Sequence, residues 1–235
     1  MQGEIVKAAE RFLGVEVQVD GAGRTDSGVH ALQQVGRLRF KSGSRPPSAK
    51  ELHFGINGHL PHDVNILRIK TAEASFHPRH DATARFYLYQ IATRRTAFGK
   101  SLVWWVKDKL DSDEMSFAIQ SNIGMHDFRS FAETSTKGSS TLVHVHTAEI
   151  AAVGGLILIR IGASHFLWKM VRRIVGVVVE VGRGRMKSSQ FSEMLNSQSN
   201  EAAALTAPPS GLFLEKVLYQ GDSTPDELRA AFPIS

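Results

Sequence analysis

The spacing of apolar residues changes along this chain from that of a helix to that of a strand, and this succession limits the fold most. Residues 5–12 carry apolar side chains at helical spacing, and Gly14 follows where that helix should end. Residues 15–19 then alternate apolar and polar side chains, as a half-buried strand does. The whole succession of helix and strand patterns begins again at Asp111. Two successive blocks of helices and hairpins predict an α+β fold rather than a parallel βαβ fold.

The same patterns predict the remaining elements. Further helices are predicted from Ser48 to the Gly58–Pro61 region, from Asp111 to Gly124 and from Phe166 to Val181, with a helix and a loop between Lys187 and Pro209. Further strands are predicted at residues 35–40, 64–69, 83–92, 141–150, 156–161 and 212–219. We therefore expect two α+β halves, an N-terminal half over residues 1–105 and a C-terminal half over residues 106–235.

Composition limits the functional classes. The 235 residues contain no cysteine, which excludes a disulfide framework and any zinc or iron–sulfur site built on cysteine. Lys and Arg number 28 against 23 Asp and Glu, and the formal net charge of +5 favours a polyanionic partner. No segment reaches the roughly 18 apolar residues of a membrane helix, and the first residues lack the apolar core of a signal peptide. We expect a cytoplasmic protein with no membrane partner.

A glycine-rich loop, Gly21–Gly28, follows the first predicted strand and reads GAGRTDSG. Its glycines allow the backbone to approach a ligand closely or to adopt a positive φ. Arg24 lies two residues from Asp26 and can either hold that carboxylate ionised or bind a phosphate. A tight turn with a surface Arg–Asp pair is the alternative, and composition alone does not decide between the two.

Two histidines raise the question of a metal site. His144 and His146 share one face of a predicted strand. No third ligand follows at a recognisable spacing, so a polar strand face is the better interpretation, and we expect no metal.

Beyond the loop, a series of motifs runs in one order along nearly the whole chain. The motifs are Gly23–Ala31 (GRTDSGVHA), Phe76–Arg79 (FHPR), Ala84–Tyr89 (ARFYLY), His126–Phe128 with Ser130–Phe131, Phe166–Arg172 (FLWKMVR), Ile174–Gly176, Glu180–Gly182, Ala207–Pro209 and Gly211–Leu214. Together they resemble the TruA family of tRNA pseudouridine synthases. The resemblance implies two ferredoxin-like halves whose mainly antiparallel sheets join across a central cleft, with Asp26 at the cleft.

The resemblance also implies a reaction. It detaches uracil from ribose at N1, turns the base and rejoins it through C5. There is no net redox change, so we expect no cofactor. Asp26 matches the family's catalytic aspartate, which either attacks the sugar or initiates elimination of the base.

Two residues match the family's base pocket. Tyr87 matches an active-site tyrosine, and we expect its ring on a wet face of the strand, where it can stack on an extruded base. Tyr89, two residues further on the same face, is expected in the sheet core. Leu212 matches an apolar residue that lines the pocket, and an ordinary core leucine is the alternative.

The cations divide by role. Arg172 matches the family's basic residue and is expected to pair with Asp26 and orient it, because a buried charge requires a partner. Arg173 beside it is expected to face solvent or the backbone. Arg24 fits a role in extruding the target nucleotide or holding its phosphate. Weaker candidates for contact with the RNA backbone are Arg79, Arg85 and Lys169.

The resemblance names the partners as well. It implies tRNA as substrate, the anticodon arm as the usual target and a homodimer as the usual assembly, and the net positive charge suits phosphate neutralisation. One rival is a non-catalytic RNA-binding module that kept the fold. Another is an enzyme of the same chemistry that acts on a different RNA.

The chain departs from the family pattern at its beginning. A first strand and a loop with Tyr-Asp-Gly and Gly-Trp-Gln segments normally precede the helix that starts near Gln2. We therefore expect the strands at 15–19 and 83–92 either to lack a hydrogen-bonding neighbour or to close the gap directly, and the activity to be weakened or absent. The alternatives are a wrongly recorded start, or another segment or subunit that supplies the strand.

Overall fold

The computed structural model describes residues 1–41, 46–133 and 140–234. Its helices are α1 (Gln2–Leu13), α2 (Ala49–Asn57), α3 (Ser112–Gln120), α4 (Met170–Gly182), α5 (Ser188–Asn196) and α6 (Glu201–Ala204). Its strands are β1 (Val17–Gly21), β2 (His30–Ala31), β3 (Gly36–Phe40), β4 (Ala84–Ala92), β5 (Trp104–Trp105), β6 (Gly124–Asp127), β7 (Leu142–Val153), β8 (Leu156–Ala163) and β9 (Leu212–Leu218). Within these ranges, no helix combines the length and the apolar character needed to cross a bilayer.

The chain forms two compact units. Unit 1 consists of Met1–Arg24 and Val35–Ala82, and unit 2 consists of Thr25–Gln34 and Thr83–Ser235. The short segment 25–34 belongs to unit 2 because β2, within it, pairs with β9. The two halves expected from the sequence, 1–105 and 106–235, follow other boundaries, and that division stays a prediction.

Unit 1 contains α1, α2 and a two-stranded antiparallel sheet of β1 and β3. Ala8, Val17, Leu52 and Ile56 are buried in its core. α1 ends at Gly14, and α2 begins at Ser48 with a complete capping box to Glu51, both as predicted. These local signals were sufficient because each depends on residues only a few positions apart.

The strand predicted at 64–69 is wrong, because this segment has no regular secondary structure. The side chain of Asn57 takes the place of a neighbouring strand at Ile66. Its Nδ2 donates to the Ile66 carbonyl (2.9 Å), and its Oδ1 accepts from the Ile66 amide (2.8 Å). The apolar side chains of Ile66 and Ile69 pack against the core of unit 1 without a sheet.

Unit 2 is built on a sheet with the strand order β2-β9-β4-β8-β7-β6, and β5 pairs with the end of β4. β4 runs antiparallel to both β8 and β9, and β7 runs antiparallel to both β6 and β8. Only the two-residue strands β2 and β5 pair in parallel within the described sheet. The fold is therefore α+β with a mostly antiparallel sheet, as predicted. β4 has neighbours on both sides, so the expectation that the strand at 83–92 lacks one is wrong.

The two faces of this sheet have different coverings. On one face, Ile119 of α3 and Ile174 of α4 pack with Ile159 of β8 in the main core. On the other face, Leu88 and Phe213 pack with residues of the C-terminal segment 228–234. Side chains alternate between these faces along β4 as the sequence predicted.

Two helix boundaries differ from the prediction. α3 ends at Gln120 rather than at Gly124, which instead begins β6. α4 begins at Met170 rather than at Phe166, because Lys169 adopts a left-handed conformation (φ 62°) that interrupts the helical path.

Candidate active site

The loop that carries Asp26 is tied to the main sheet of unit 2. The Asp26 carbonyl accepts a hydrogen bond from the Val29 amide (3.1 Å), which closes a tight turn. Gly28 lies in this turn with a φ of 79°, and a Cβ there would lie 3.0 Å from Cγ of Pro209. Both the conformation and the space therefore favour glycine. Since β2 follows directly and pairs with β9, the carboxylate projects from a turn that is fixed at its C-terminal side.

Two side chains hold the two oxygens of the Asp26 carboxylate. Arg172 Nη1 donates to Oδ2 at 3.0 Å, and Trp168 Nε1 donates to Oδ1 at 2.9 Å. The Asp26 side chain is 27% exposed and that of Arg172 is 15% exposed. The expected pairing of Asp26 with Arg172 is thus present in the structure. The carboxylate is oriented on both oxygens and still open to solvent, which suits a group that must meet a substrate.

Arg172 is itself fixed by backbone groups. Its Nε donates to the Ala207 carbonyl (2.7 Å), and its own carbonyl accepts from the Ala207 amide (3.0 Å). The segment before Ala207 comes so close to α4 that a Cβ on Gly176 would lie 1.7 Å from the Leu205 carbonyl oxygen. A glycine at position 176 is therefore required for this close approach, and the approach positions the guanidinium group toward Asp26.

Tyr87 lies on β4, near the carboxylate of Asp26. Its ring makes an edge-to-face contact with Phe166, with 4.9 Å between ring centroids. Burial raises the pKa of Tyr87 to about 12; the positive charge of Arg85 acts against this shift, and the negative charge of Asp26 adds to it. The phenol therefore stays neutral at physiological pH. The ring is half-buried on the face that packs against the main core, so the expectation of a wet face is wrong.

Tyr89 and Leu212 lie opposite each other on β4 and β9. Tyr89 is fully buried, and its hydroxyl donates to the Pro208 carbonyl (2.7 Å), so its assignment to the sheet core is confirmed. Burial raises the pKa of the Tyr89 phenol, although the charge of Arg172 acts in the other direction. Leu212 is buried in the same core. Its role in a base pocket stays a prediction.

Arg173 turns away from Asp26. It is 8% exposed, its Nη1 donates to the Ala132 carbonyl at 2.5 Å, and its Nη2 lies 3.6 Å from Glu133. Burial lowers the pKa of Arg173, and Glu133 opposes this shift only in part. Of the two expectations for this residue, contact with the backbone is confirmed and exposure to solvent is wrong.

Comparison with known proteins identifies the family. Residues 118–220 match a family model described as tRNA pseudouridine synthase. A tRNA pseudouridine synthase A of Thermoanaerobacter sp. (strain X514) is 37% identical over 221 residues, which cover 93% of this chain and 89% of the relative. A protein of the same name from Nitrobacter winogradskyi is 36% identical over 224 residues, which cover 94% of this chain and 87% of the relative. The chain belongs to the tRNA pseudouridine synthase family. The resemblance seen in the motifs is thereby confirmed.

Within this member of the tRNA pseudouridine synthase family, sequence reasoning overlooked Trp168. Trp168 lies in the FLWKMVR motif, but the motif alone does not indicate a role for it. Trp168 stands four positions before Arg172, a spacing that places side chains on one side of a helical path. That spacing was the available signal, and the interruption at Lys169 weakened it.

The remaining cations of this tRNA pseudouridine synthase belong to different units of the chain. Arg24 is exposed and belongs to unit 1, whereas Asp26 belongs to unit 2. Arg79 is exposed in unit 1, and Arg85 is half-buried with its Nη1 donating to the Ser164 carbonyl (2.9 Å). Lys169 forms an ion pair with Glu133. The proposed contacts of these cations with RNA stay predictions.

Metal-binding side chains do not cluster in the part of the chain that the structure describes, where no group of three or more His, Asp or Glu residues gathers. His144 and His146 lie on an exposed strand face with 4.5 Å between their ring centroids. Burial and the neighbouring His144 lower the pKa of His146.

Proposed function

We propose that this chain converts uridine to pseudouridine in tRNA and that the Asp26 carboxylate is its essential catalytic group. As a tRNA pseudouridine synthase it is an isomerase. The observation that carries the proposal is the pair of hydrogen bonds that fix both oxygens of a partly exposed carboxylate, one of them from the half-buried Arg172. A carboxylate held in this way is preorganised for reaction.

The chemistry requires one well-placed anion. The N1–C1′ bond of uridine breaks, the uracil turns, and a C5–C1′ bond forms while C5 loses a proton and N1 gains one. The atoms and electrons balance without an external oxidant or reductant, so the proposed reaction includes no cofactor. Asp26 begins the sequence either by attack on the sugar or by starting elimination of the base. Arg172 supplies the counter-charge and the orientation in both cases.

The other residues of the proposal act on the substrate. Tyr87 offers a neutral aromatic ring for stacking on the extruded uracil, which its raised pKa and its half-buried position support. Leu212 contributes apolar surface to the same base pocket. Arg24, which is exposed, holds a phosphate of the target nucleotide or assists its extrusion.

The finer features of the proposal come from the family resemblance. They are uridines of the anticodon arm as targets, a homodimer as the assembly, the cytoplasm as the location, and two ferredoxin-like halves with sheets joined across a central cleft. The net charge of +5 supports the polyanionic substrate, because phosphate neutralisation supplies most of the sequence-independent affinity for nucleic acid.

A tritium-release assay tests the function. Transfer RNA labelled with tritium at C5 of uridine loses the label as water when C5 bonds to the sugar. Wild-type protein is expected to release tritium from tRNA, and Asp26→Ala is expected to release none. A protein that binds tRNA but releases no label would be the non-catalytic RNA-binding module. Release from another RNA but not from tRNA would identify a different substrate, and mapping of the modified position tests the anticodon arm.

A further inference from the structure

Trp168 makes an unusual contact for a surface aromatic residue. Its side chain is 49% exposed, yet its indole Nε1–H points to Asp26 Oδ1 at 2.9 Å. Arg172 occupies the other oxygen, Oδ2, at 3.0 Å. A single donor would leave the carboxylate free to rotate about its Cβ–Cγ bond. Two donors on two oxygens fix its plane.

The backbone around Trp168 is held in a strained conformation. Lys169 has a φ of 62°, and it is the one non-glycine residue with a positive φ among residues 1–41, 46–133 and 140–234. Such a conformation persists only where the surroundings determine it, and it occurs preferentially at functional sites. Glu133 supplies those surroundings, because its amide donates to the Trp168 carbonyl (3.0 Å) and its carboxylate pairs with Lys169.

Lys169 also contacts the indole ring. Its Nζ lies 4.9 Å from the ring centroid of Trp168, within the range of a cation–π interaction. The exposed ring is therefore held by its own backbone and by the neighbouring cation rather than by the core. These contacts fix the direction of the Nε1–H bond.

We propose that Trp168 is a positioning residue that orients the Asp26 carboxylate for reaction. The inference rests on the proposed function of Asp26. The indole N–H is a neutral donor, so it restricts the carboxylate without adding a second positive charge beside it. Arg172 balances the charge of the carboxylate and holds one oxygen, and Trp168 holds the other, so that the two together fix its plane.

The variant Trp168→Phe removes the donor and keeps an aromatic ring. We expect kcat to fall about 10- to 100-fold, the range expected for a lost hydrogen bond to a charged group, while KM for tRNA changes by less than about threefold. Trp105→Phe is the matched control, since Trp105 is 43% exposed and contacts Arg95 instead. It should leave kcat and KM unchanged.

A measurement without RNA separates this inference from the proposed function. In the free protein, the indole N–H proton resonance of Trp168, assigned by its loss in Trp168→Phe, should shift when Asp26 is changed to Asn, while those of Trp104 and Trp105 stay in place. An unshifted resonance, or a Trp168→Phe variant with wild-type kcat, would overturn the positioning role. If the wild-type protein releases no tritium, the proposed function fails, and the resonance still decides whether Trp168 binds Asp26.

Discussion

Arg172 and Arg173 follow each other on α4 and are both largely buried, but their guanidinium groups reach different partners. Arg172 binds the Asp26 carboxylate and the Ala207 carbonyl. Arg173 binds the Ala132 carbonyl and lies near Glu133. The difference shows that burial of a cation does not identify a catalytic group. What separates the two arginines is the hydrogen-bond acceptor, because Arg172 donates to the Asp26 carboxylate, whereas Arg173 donates to a backbone carbonyl.

The two arginines therefore also differ in what their loss would change. Loss of Arg172 removes the counter-charge from the Asp26 carboxylate, whereas loss of Arg173 leaves the Ala132 carbonyl without its donor. We therefore expect neighbouring substitutions to affect different measurements, turnover in one case and stability in the other.

Among the residues around Asp26, the largest effect is expected for Arg172→Leu. A lost hydrogen bond to a charged group costs about 1.5–3 kcal/mol, and the loss of the counter-charge adds to it, so turnover of uridine should fall by at least about 30-fold. Binding of tRNA should change only several-fold, because Asp26 and the other cations remain. Single-turnover tritium release and a filter-binding titration measure the two quantities.

Arg173→Leu should instead lower the melting temperature. It leaves the Ala132 carbonyl without its donor, at a cost of about 1–3 kcal/mol, which corresponds to a decrease of several degrees for a chain of this size. Turnover per folded molecule should stay close to wild type when assayed well below the transition. Equal losses of turnover in both variants would refute the separation of the two arginines.

The sequence predicted the helices and strands of this chain better than the contacts between residues far apart in the sequence. The helix patterns and the strands at 83–92 and 156–161 are visible because their period spans few residues. The strand at 64–69 failed because no pattern reveals that Asn57 would satisfy the backbone of Ile66. The two-residue strands β2 and β5 are too short to leave a pattern.

The candidate site shows the same limit. The pairing of Asp26 with Arg172 spans 146 positions and came from the family resemblance, not from spacing. The sequence did not indicate the contact of Trp168 with Asp26. The left-handed conformation of Lys169 precedes α4 at this point, and sequence periodicity does not reveal such a conformation. The prediction that the Tyr87 ring lies on the solvent-facing side of the strand is wrong, because the alternation of side chains along a strand does not tell which face the helices cover.

Tyr87 and Tyr89 on β4 form a second pair of neighbouring residues with different partners, and we expect their substitutions to change turnover less than Arg172→Leu does. Both lie on one face, but Tyr87 is near Asp26 while Tyr89 donates to the Pro208 carbonyl. Because the pKa of Tyr87 is raised to about 12, its hydroxyl stays protonated up to pH 9, and Tyr87→Phe should cost about tenfold or less in turnover. Tyr87→Leu, which removes the ring, should cost more. Tyr89→Phe should lower the melting temperature instead. A reversed order of Tyr87→Phe and Tyr87→Leu would exclude stacking as the role of the ring.

The smallest effect concerns the surface arginines. If tRNA binding depends on phosphate contacts, log K should fall linearly with log salt concentration, and Arg24→Gln should reduce the slope by about one. Arg229, which is exposed and already paired with Glu227, is the matched control, and Arg229→Gln should leave the slope unchanged. Fluorescence titrations at several salt concentrations give both slopes. A salt-independent affinity would exclude phosphate contact as the basis of binding.

The central claim is that the Asp26 carboxylate, oriented by Arg172, performs the chemistry. Asp26→Asn tests it most directly, because the amide keeps the shape of the side chain but can act neither as nucleophile nor as base. Tritium release and tRNA affinity are measured on the same preparation, with its melting temperature as the control for folding. The account predicts release at background level with an affinity within several-fold of wild type. Residual turnover above a few per cent of wild type in a folded Asp26→Asn protein would contradict it.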